Sequence, residues 1–237
     1  MLSLARSAAR SALSLPLRVA LREAWMEFRI QRLHGRGVRA AARVAGKRPL
    51  KLNLGCGQNL KSAAEGWINV DLFEPRANFP LDLRRPLPFP ESSVDMVYSE
   101  HVFEHLAVPA SPDRMGWSMD TEGAPSEALQ FLRESRRVLV PGGRLRVVVP
   151  DAERAVRLYL RGELETWGPP WVDTPMHFLN YVFRQGREHL YAYDEQTLIG
   201  LVRRAGFSEV RRSEFSPGLD SEHRKNDSLY VEAVKTA

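Results

Sequence analysis

The chain has 237 residues, 43% of them apolar, which is enough for one domain of ordinary size with a hydrophobic core plus an extension. The one cysteine, Cys56, excludes an intramolecular disulfide. Residues 1–50 carry 11 Lys and Arg against two Glu, a balance of +9, whereas the whole chain has a formal net charge of +5. The excess positive charge therefore belongs to the extension, and it does not predict a nucleic-acid-binding surface on the rest of the chain.

Residues 1–48 have the pattern of a basic helical extension. From Leu2 to Leu15 the apolar residues lie on one side of a helical wheel, and Pro16 interrupts the pattern. Leu17–Leu33 predicts a second helix. The residues that follow are expected to form a linker to a domain over residues 49–237, and they are Gly35, Gly37 and Gly46–Pro49.

The second helix carries a basic stripe that has three interpretations. It can be an anchor that lies on an anionic membrane surface, an organellar transit peptide, or a helical arm that is solvated or packed on the domain. We expect a cytoplasmic protein, peripheral at the inner face of the membrane, or an organellar one after removal of the transit peptide. No run approaches 18 apolar residues, so no spanning helix is expected. The stripe consists of Arg18, Arg22, Arg29 and Arg32.

Lys51–Gly57 reads K-L-N-L-G-C-G, which predicts a short buried strand that ends in a tight turn. Gly55 and Gly57 lack the Cβ atoms that would block a ligand, and a helix starting just after them would direct unpaired N–H groups into the same space. A second strand, Ile68–Val70, ends in Asp71, whose carboxylate can accept hydrogen bonds from both hydroxyls of a ribose. The unit predicts a nucleotide-type site.

The spacing within this unit disfavours a dinucleotide ligand. A dinucleotide fold has a third glycine and an acid about 20 residues on, and Gln58–Lys61 contains no glycine while Asp71 follows more closely. Only about nine residues separate the turn from the second strand, so the first helix must be abbreviated.

Two stretches after Asp71 add candidates for ligand contact. The prolines of Phe79–Pro90 forbid a helix and allow only a brief strand around Leu81–Leu83. Val94–Ser99 predicts a further strand that continues into E-H-V-F-E-H-L. Side chains at the carboxyl end of such a strand face the ligand crevice of an open α/β sheet. The candidates there are Ser99, Glu100 and His101.

A metal site is an alternative at this position, because His101 and His105 are four residues apart with Glu100 and Glu104 interleaved. The H-E-x-x-H order is absent, and no later cluster of Cys or His offers a third ligand. We therefore expect no metal, and we expect His105 to pack or cap locally.

The rest of the chain continues the alternation of helices and strands. Ala107–Pro125 is expected to be a loop or lid because it holds three prolines and two glycines. Helices with polar caps and buried strands follow, and the last two strands should form an antiparallel edge. They are a helix from Ser126 to Val138 ended by Gly142 and Gly143, a strand at Leu145–Val149, a helix from Asp151 to about Arg161, a helix from Asp194 to Ala205, and strands at Ser208–Glu214 and Ser228–Val234.

Glu163–Tyr193 has no clear helical or strand repeat but is rich in aromatic residues and histidine. It predicts either an acceptor pocket and its cover or a hydrophobic cluster that pins a long loop. Its aromatic residues are Trp167, Trp171, Phe178, Tyr181, Phe183, Tyr191 and Tyr193, and its histidines are His177 and His189.

Four motifs occur in a fixed order over roughly Leu50–Lys235. They are L-N-L-G-C-G, L-P-F-P, V-D-x-V-Y-S-E-H and R-V-L-x-P-G-G. In this ordered set the chain resembles the class I S-adenosylmethionine-dependent methyltransferases, and more closely the small bacterial proteins with a methyltransferase type 11 domain.

The resemblance implies an α/β fold, a Rossmann-like doubly wound, mostly parallel sheet of about seven strands with an antiparallel last strand. It implies S-adenosyl-L-methionine as the cofactor, with Asp82 receiving the exocyclic amine of adenine and Leu83 against the ring. Asp82 can alternatively be a turn cap. The cofactor-binding residues are then expected to be Asn53, Gly55, Cys56, Gly57, Asp71, Leu72, Asp82, Leu83, Ser99 and Glu100.

The chemistry follows from the cofactor, whose sulfonium methyl is already electrophilic. The protein must align an acceptor, exclude water and, for a hydroxyl acceptor, remove a proton. The candidate bases are His101, Glu100 and His189, in that order. Cys56 is interpreted as a small buried residue rather than a nucleophile.

The acceptor is expected to be a small molecule or a lipid-linked saccharide, and no nucleic acid is expected. The Asn-Pro-Pro-Tyr signature associated with methylation of amide or base amino groups is absent, which disfavours that acceptor class. The alternative function is a catalytically silent cofactor-binding module that acts through a protein partner.

Overall fold

A six-stranded sheet forms the centre of the protein. The computed structural model describes residues 13–44, 49–108, 126–163 and 169–236. The strands are β1 (Lys51–Leu54), β2 (Trp67–Val70), β3 (Val94–Glu100), β4 (Leu139–Pro150), β5 (Ser208–Ser213) and β6 (Ser228–Val234). Their order is β2-β1-β3-β4-β6-β5, with β2, β1, β3 and β4 parallel and β6 antiparallel to both β4 and β5. The predicted mostly parallel sheet with an antiparallel last strand is confirmed.

The predicted strand around Leu81–Leu83 does not form, so the described part of the chain has six strands where about seven were expected. Only one bridge, between Val70 and Phe79, continues the sheet on this side. The reason is the proline content of the stretch, because a proline cannot donate a ladder hydrogen bond. In contrast, β4 is longer than predicted and begins at Leu139, passing through Gly142 and Gly143 with an irregular register against β3.

The helices are α1 (Leu15–Ala41), α2 (Glu127–Val138), α3 (Ala152–Arg161), α4 (Pro175–Arg184) and α5 (Glu195–Arg204). Three of them begin at the predicted caps, where the side chains of Ser126, Asp151 and Asp194 accept a hydrogen bond from the N–H three residues on. The prediction missed α4, although Thr174 caps it and Pro175 occupies its first turn. Residues 109–125 of the expected lid lie outside the described part.

The helix of the extension is longer than the predicted Leu17–Leu33, because α1 begins at Leu15 and includes Pro16. This proline lies in the first turn, where a missing N–H costs nothing. The helix then runs through Gly35 and Gly37, which were wrongly assigned to a linker. A Cβ at Gly37 would lie 2.3 Å from the carbonyl oxygen of Pro80, so glycine here permits close packing on the domain. The predicted helix at Leu2–Leu15 and the predicted linker stretch Gly46–Pro49 fall mainly outside the described residues.

The core lies between the sheet and helices α2 and α5. Apolar side chains from β1, β3 and β4 are fully buried against residues such as Phe131 and Leu198. This packing leaves the carboxyl ends of the parallel strands free to carry polar side chains at one edge of the sheet. Among the described helices, none combines the length and apolarity that crossing a bilayer would require.

Candidate functional site

The glycine turn after β1 is held between two neighbouring strands. Gly55 and Gly57 have φ values of +70° and +45°, in the left-handed region that favours glycine. A Cβ at Gly55 would lie 2.2 Å from Val102 Cγ2, whereas one at Gly57 would meet nothing within 4 Å. Gly55 N and Cys56 N both donate to Val70 O, at 2.7 and 3.0 Å. Gly55 is thus required for packing, and Gly57 leaves open space on the ligand side.

Asp71 at the end of β2 closes this turn. Its Oδ2 accepts from Gly57 N at 3.0 Å, and its Oδ1 accepts from Phe73 N and Glu74 N at 2.8 and 2.9 Å. A carboxylate offers about four acceptor positions, so about one remains for a ribose hydroxyl. The helix expected after the glycines is replaced by a three-residue 3₁₀ helix, Ala63–Glu65, and the Gly57 N–H donates to the Asp71 carboxylate.

Cys56 lies buried in the same turn. Burial raises the pKa of its thiol to about 12, and the carboxylates of Asp71 and Glu74 add to the shift. The thiol therefore stays protonated at neutral pH and cannot act as a thiolate nucleophile.

Glu100 ends β3 and is 7% exposed. Its carboxylate accepts hydrogen bonds from Ser221 N at 2.9 Å, Ser221 Oγ at 2.5 Å and Asn59 Nδ2 at 2.8 Å. Burial alone would raise the pKa of this carboxyl, but the bonds from Ser221 and Asn59 outweigh it and the pKa is lowered. Glu100 is thus a fixed negative charge and a weak base.

These elements surround a cavity of about 850 Å³. Most of the predicted cofactor residues line it, namely Gly55, Cys56, Gly57, Asp71, Leu72, Asp82, Leu83 and Glu100. Asn53 and Ser99 are absent from its lining and are buried. Asn53 Nδ2 instead donates to Asn59 O and Asn69 Oδ1, at 2.8 and 2.9 Å, and so holds the cavity wall together.

Asp82 lies at the wall of this cavity but already has partners. Arg84 Nε and Nη2 approach its two carboxylate oxygens at 2.9 Å each, and Arg85 Nε lies 3.3 Å from Oδ2. Burial would raise the pKa of Asp82, but the bonds from Arg84 outweigh it and the pKa is lowered. Arg84 N also donates to Asp82 Oδ1 at 3.1 Å. The hydrogen bond that the turn-cap interpretation of Asp82 requires is therefore present.

The loop between β5 and β6 completes the cavity and was missed by sequence reasoning. It contributes Ser221, His223 and Arg224 to the lining. Both β4 and β5 are antiparallel to β6, so β5 is parallel to β4 and its carboxyl end reaches the ligand edge of the sheet. The polar run S-E-H-R-K-N-D between two predicted strands was the available signal.

Arg146 of β4 anchors this loop from inside the protein. It is fully buried, and its guanidinium pairs with Asp220 and with Glu232, the latter at 2.8 Å. Nη2 also donates to Glu214 O at 2.7 Å. Because Asp220 directly precedes Ser221, the buried ion pair sets the position of the hydroxyl that binds Glu100.

A second cavity of about 370 Å³ lies beside the first. Its walls include apolar groups of α3 and α4, among them Ala155 and Phe178, and polar groups such as Arg154. The predicted aromatic segment thus contributes both a hydrophobic cluster and a cavity wall. Trp167 lies outside the described residues. The two cavities share His101, His223 and Arg224.

His101 stands on the shared wall in a strained conformation, with a φ of +52°. Its Nε2 lies 2.9 Å from Ser228 Oγ, and burial lowers its pKa well below the usual value, so the imidazole is neutral. His189 lines only the second of these cavities. Burial lowers the pKa of His189 as well, although its bond to Val182 O opposes the shift.

Glu104 lies between these histidines and is 1% exposed. Neither of its carboxylate oxygens has a hydrogen-bond partner among the described residues. Burial raises the pKa of this carboxyl to about 8. Sequence reasoning did not single out its burial, because a Glu in a helix-like stretch is usually exposed.

Residues 74–147 match the family model described as methyltransferase domain. No curated protein sequence matches the chain significantly. Similar solved structures include an S-adenosylmethionine-dependent methyltransferase from Thermotoga maritima, with 16% identity, a TM-score of 0.46 and coverage of 91% of this chain and 96% of that chain. One from Aquifex aeolicus has 17% identity, a TM-score of 0.45 and coverage of 87% and 97%. Phosphoethanolamine N-methyltransferase 2 of Haemonchus contortus, solved with S-adenosyl-L-methionine, has 13% identity, a TM-score of 0.45 and coverage of 86% and 53%.

The matched segment includes β3 and most of β4, whose ends build both cavities. It lies within a sheet whose first glycine turn and β2 carboxylate form a nucleotide-type site. The match to a methyltransferase domain over residues 74–147, together with this nucleotide-type site, supports S-adenosylmethionine-dependent methyl transfer with S-adenosylmethionine as the cofactor.

Proposed function

We propose that the enzyme methylates a small acceptor that binds in the second cavity, and that the acceptor is a lipid-linked or envelope saccharide met at an anionic membrane surface. The observation that carries the proposal is the position of His101, which lines both cavities. An acceptor in the second cavity and a cofactor in the first would therefore both lie next to His101.

The residues of the first cavity fit the cofactor. The glycine turn and the open space beside Gly57 leave room for a nucleoside. The Asp71 carboxylate has one acceptor position left for a ribose hydroxyl. The ionised Glu100 suits the positive charges of S-adenosylmethionine. When bound, the cofactor supplies an electrophilic methyl group, so the chain must hold the acceptor in line and exclude water.

We assign the general base to His101, ahead of Glu100 and His189. A neutral imidazole keeps a lone pair that can accept the proton of an acceptor hydroxyl. Glu100 lines only the first cavity and its carboxylate already accepts three hydrogen bonds, so we assign it to cofactor binding. His189 lines the second cavity, where it can contact the acceptor.

Methyl-labelled S-adenosylmethionine tests this assignment with a membrane and lipid-glycan extract as the source of acceptors. His101→Ala should lower label transfer by ~10²-fold or more, while the Kd of S-adenosylhomocysteine stays within a few-fold. His177→Ala is the matched control, because His177 is an exposed histidine of α4 paired with Asp173. Unchanged transfer by His101→Ala would remove it from the mechanism. If no extract component is labelled and one protein is captured tightly, the silent module is the better function.

The membrane part of the proposal rests on the first half of α1. Six large apolar side chains are exposed there, and Trp25 and Phe28 are 58% and 56% exposed. Arg29 lies 5.8 Å from the Trp25 ring centre, and Arg32 lies 5.9 Å from that of Phe28. Aromatic and basic side chains on one helix suit an interface with anionic headgroups. The other exposed side chains are Leu15, Leu17, Val19 and Leu21.

We retain the division into an arm over residues 1–48 and a methyltransferase domain over residues 49–237 as part of this proposal. Helix α1 contacts the domain from its middle onward, because Glu27 pairs with Arg84 at 3.0 Å and His34 Nδ1 accepts from Asp82 N at 3.2 Å. Point variants therefore test the arm better than truncation does.

Vesicle sedimentation provides that test. The full chain should pellet with anionic vesicles, and binding should fall as salt rises because the arginine contribution is screened. Replacing Trp25 and Phe28 together with Ser should weaken binding, whereas Leu160→Ser should not, since Leu160 is 76% exposed but lies on α3. Equal binding to neutral vesicles would contradict the proposal, and cleavage after organelle import would support the transit-peptide interpretation.

A further inference from the structure

Three side chains that are separated in sequence converge beside the wall between the two cavities. Glu104 and His105 belong to a 3₁₀ turn, Phe103–His105, that follows β3, and His189 comes from the segment after α4. The backbone oxygen of Glu104 accepts from Leu190 N and Tyr191 N at 2.8 and 3.2 Å, so backbone hydrogen bonds join the two segments. The rings of His105 and His189 are 4.9 Å apart and nearly perpendicular.

The hydrogen bonds of the two histidines determine which ring nitrogens carry protons. His105 Nδ1 lies 2.9 Å from Glu188 O, and His189 Nδ1 lies 2.7 Å from Val182 O. A carbonyl oxygen can only accept, so each Nδ1 must be the donor and each Nε2 of the neutral imidazole keeps its lone pair. These Nε2 atoms lie 4.0 and 3.9 Å from Glu104 Oε1.

The cluster therefore places electron-pair donors opposite one another. The buried Glu104 carboxylate has no hydrogen-bond donor among the described residues, and the distances to the two Nε2 atoms are too long for hydrogen bonds. One ligand atom from each of the three residues lies within 4.8 Å of the others. A cation between them would displace the carboxyl proton and give the buried carboxylate the partner that it lacks among the described residues.

We propose that Glu104, His105 and His189 bind a divalent cation of the Zn²⁺ class. Two imidazole nitrogens and one glutamate oxygen are a ligand set of zinc sites that keep a fourth position for water or a substrate oxygen. The carbonyls on the opposite ring nitrogens are the usual outer partners of metal-bound histidine. Tetrahedral zinc places its ligand atoms roughly 3.4 Å apart, so each distance from Glu104 Oε1 to an Nε2 atom, now 4.0 and 3.9 Å, would shorten by roughly 0.5 Å on binding.

The position of the cluster also suits metal entry and use. The His105 side chain is 35% exposed, which provides a path from solvent. His105 lines the first cavity and His189 lines the second. An open coordination position here would be available to an oxygen of the acceptor. This site departs from the expectation of no metal, because the third ligand lies 84 residues after His105 and only the fold brings it close.

Calorimetric titration of the tag-free, chelator-treated full chain with ZnCl₂ tests the proposal. The wild type should bind one equivalent, and Glu104→Gln and His189→Ala should weaken binding by at least about tenfold. His177→Ala should bind like the wild type, since its imidazole lies outside the cluster on the exposed side of α4. Substituting Co²⁺ should add visible absorption bands to the wild type and not to Glu104→Gln.

Thermal unfolding separates loss of the site from loss of the fold. Zn²⁺ should raise the Tm of the wild type and of His177→Ala, and it should leave that of the isosteric Glu104→Gln unchanged. Absence of stoichiometric binding by the wild type, or equal affinity in Glu104→Gln, would overturn the proposal. Neither readout depends on finding the acceptor.

Discussion

Glu100 and Glu104 are four residues apart and both buried, yet their surroundings are opposite. The carboxylate of Glu100 accepts three hydrogen bonds, and its pKa is lowered. The carboxylate of Glu104 accepts none from the described residues, and burial raises its pKa to about 8. The protein thus supplies hydrogen-bond donors to Glu100, whereas among the described residues it supplies none to Glu104.

The difference in hydrogen bonding between Glu100 and Glu104 indicates which of the two sites lacks a binding partner. Residues around Glu100 form a site that is prepared for a cofactor, because their polar atoms are already oriented. Backbone bonds hold the segments around Glu104 in place, but its two carboxylate oxygens have no hydrogen-bond partner in the part of the chain that the structure describes. Two carboxylates only four residues apart can therefore have different roles, because their environments set their charge.

The largest expected effect comes from removing the support of Glu100. Arg146→Met would leave Asp220 buried and unpaired, so the free energy of unfolding should fall by about 3–5 kcal/mol. Because Asp220 precedes Ser221, cofactor affinity should fall as well. Arg144→Met is the matched control on the same strand, since Arg144 is exposed. Urea unfolding measures both variants, and equal stability would contradict the anchoring role.

Removing the carboxylate beside the glycine turn should have a smaller effect, confined to the cofactor. Asp71→Ala should weaken S-adenosylmethionine binding by about 1–3 kcal/mol, as expected for a charge-assisted hydrogen bond. Calorimetry with S-adenosylmethionine and S-adenosylhomocysteine checks this expectation. Tighter binding of a nicotinamide or flavin cofactor to the wild type would contradict the assignment of S-adenosylmethionine as the cofactor.

The pH dependence of stability should separate the two acids. Glu100 has a folded pKa below its ordinary value of 4.5, so its contribution is present above pH 4.5 and is lost as the pH falls through the folded pKa. Glu104 has a folded pKa of about 8 against an ordinary value of 4.5, so the wild type should lose stability as the pH rises between them.

Urea unfolding at several pH values in the presence of a chelator measures these contributions. Glu100→Gln should be less stable than the wild type at pH 7 by about 1–2 kcal/mol. Glu104→Gln should gain stability over the wild type as the pH rises towards 9. Parallel curves for both variants would contradict the contrast between the two sites.

The smallest expected effect is the loss of one hydroxyl. Ser221→Ala removes the Oγ bond to Glu100 and leaves the bond from its own N–H. Cofactor affinity should fall by about 1 kcal/mol. The same substitution at Ser93, a partly exposed serine outside both cavities whose Oγ donates to Pro90 O, provides the control.

Local features of the site could be predicted from sequence, because they involve residues that are close along the chain. The glycine turn, the acid after β2 and the caps at Ser126, Asp151 and Asp194 are of this kind. Features that depend on long-range packing were missed. The bond from Ser221 to Glu100 spans 121 residues, and that from Arg146 to Asp220 spans 74. A residue pattern contains no distance information across such separations.

The single helix α1 also has a mechanical consequence. At 1.5 Å per residue its 27 residues form a rod of about 40 Å, with the exposed aromatic residues in one half and Gly37 against Pro80 in the other. Phe73, which lines the first cavity, stacks under Arg29 of the same rod. A surface that binds the first half would therefore set the tilt of the whole domain, and with it the direction in which the cavity mouth faces.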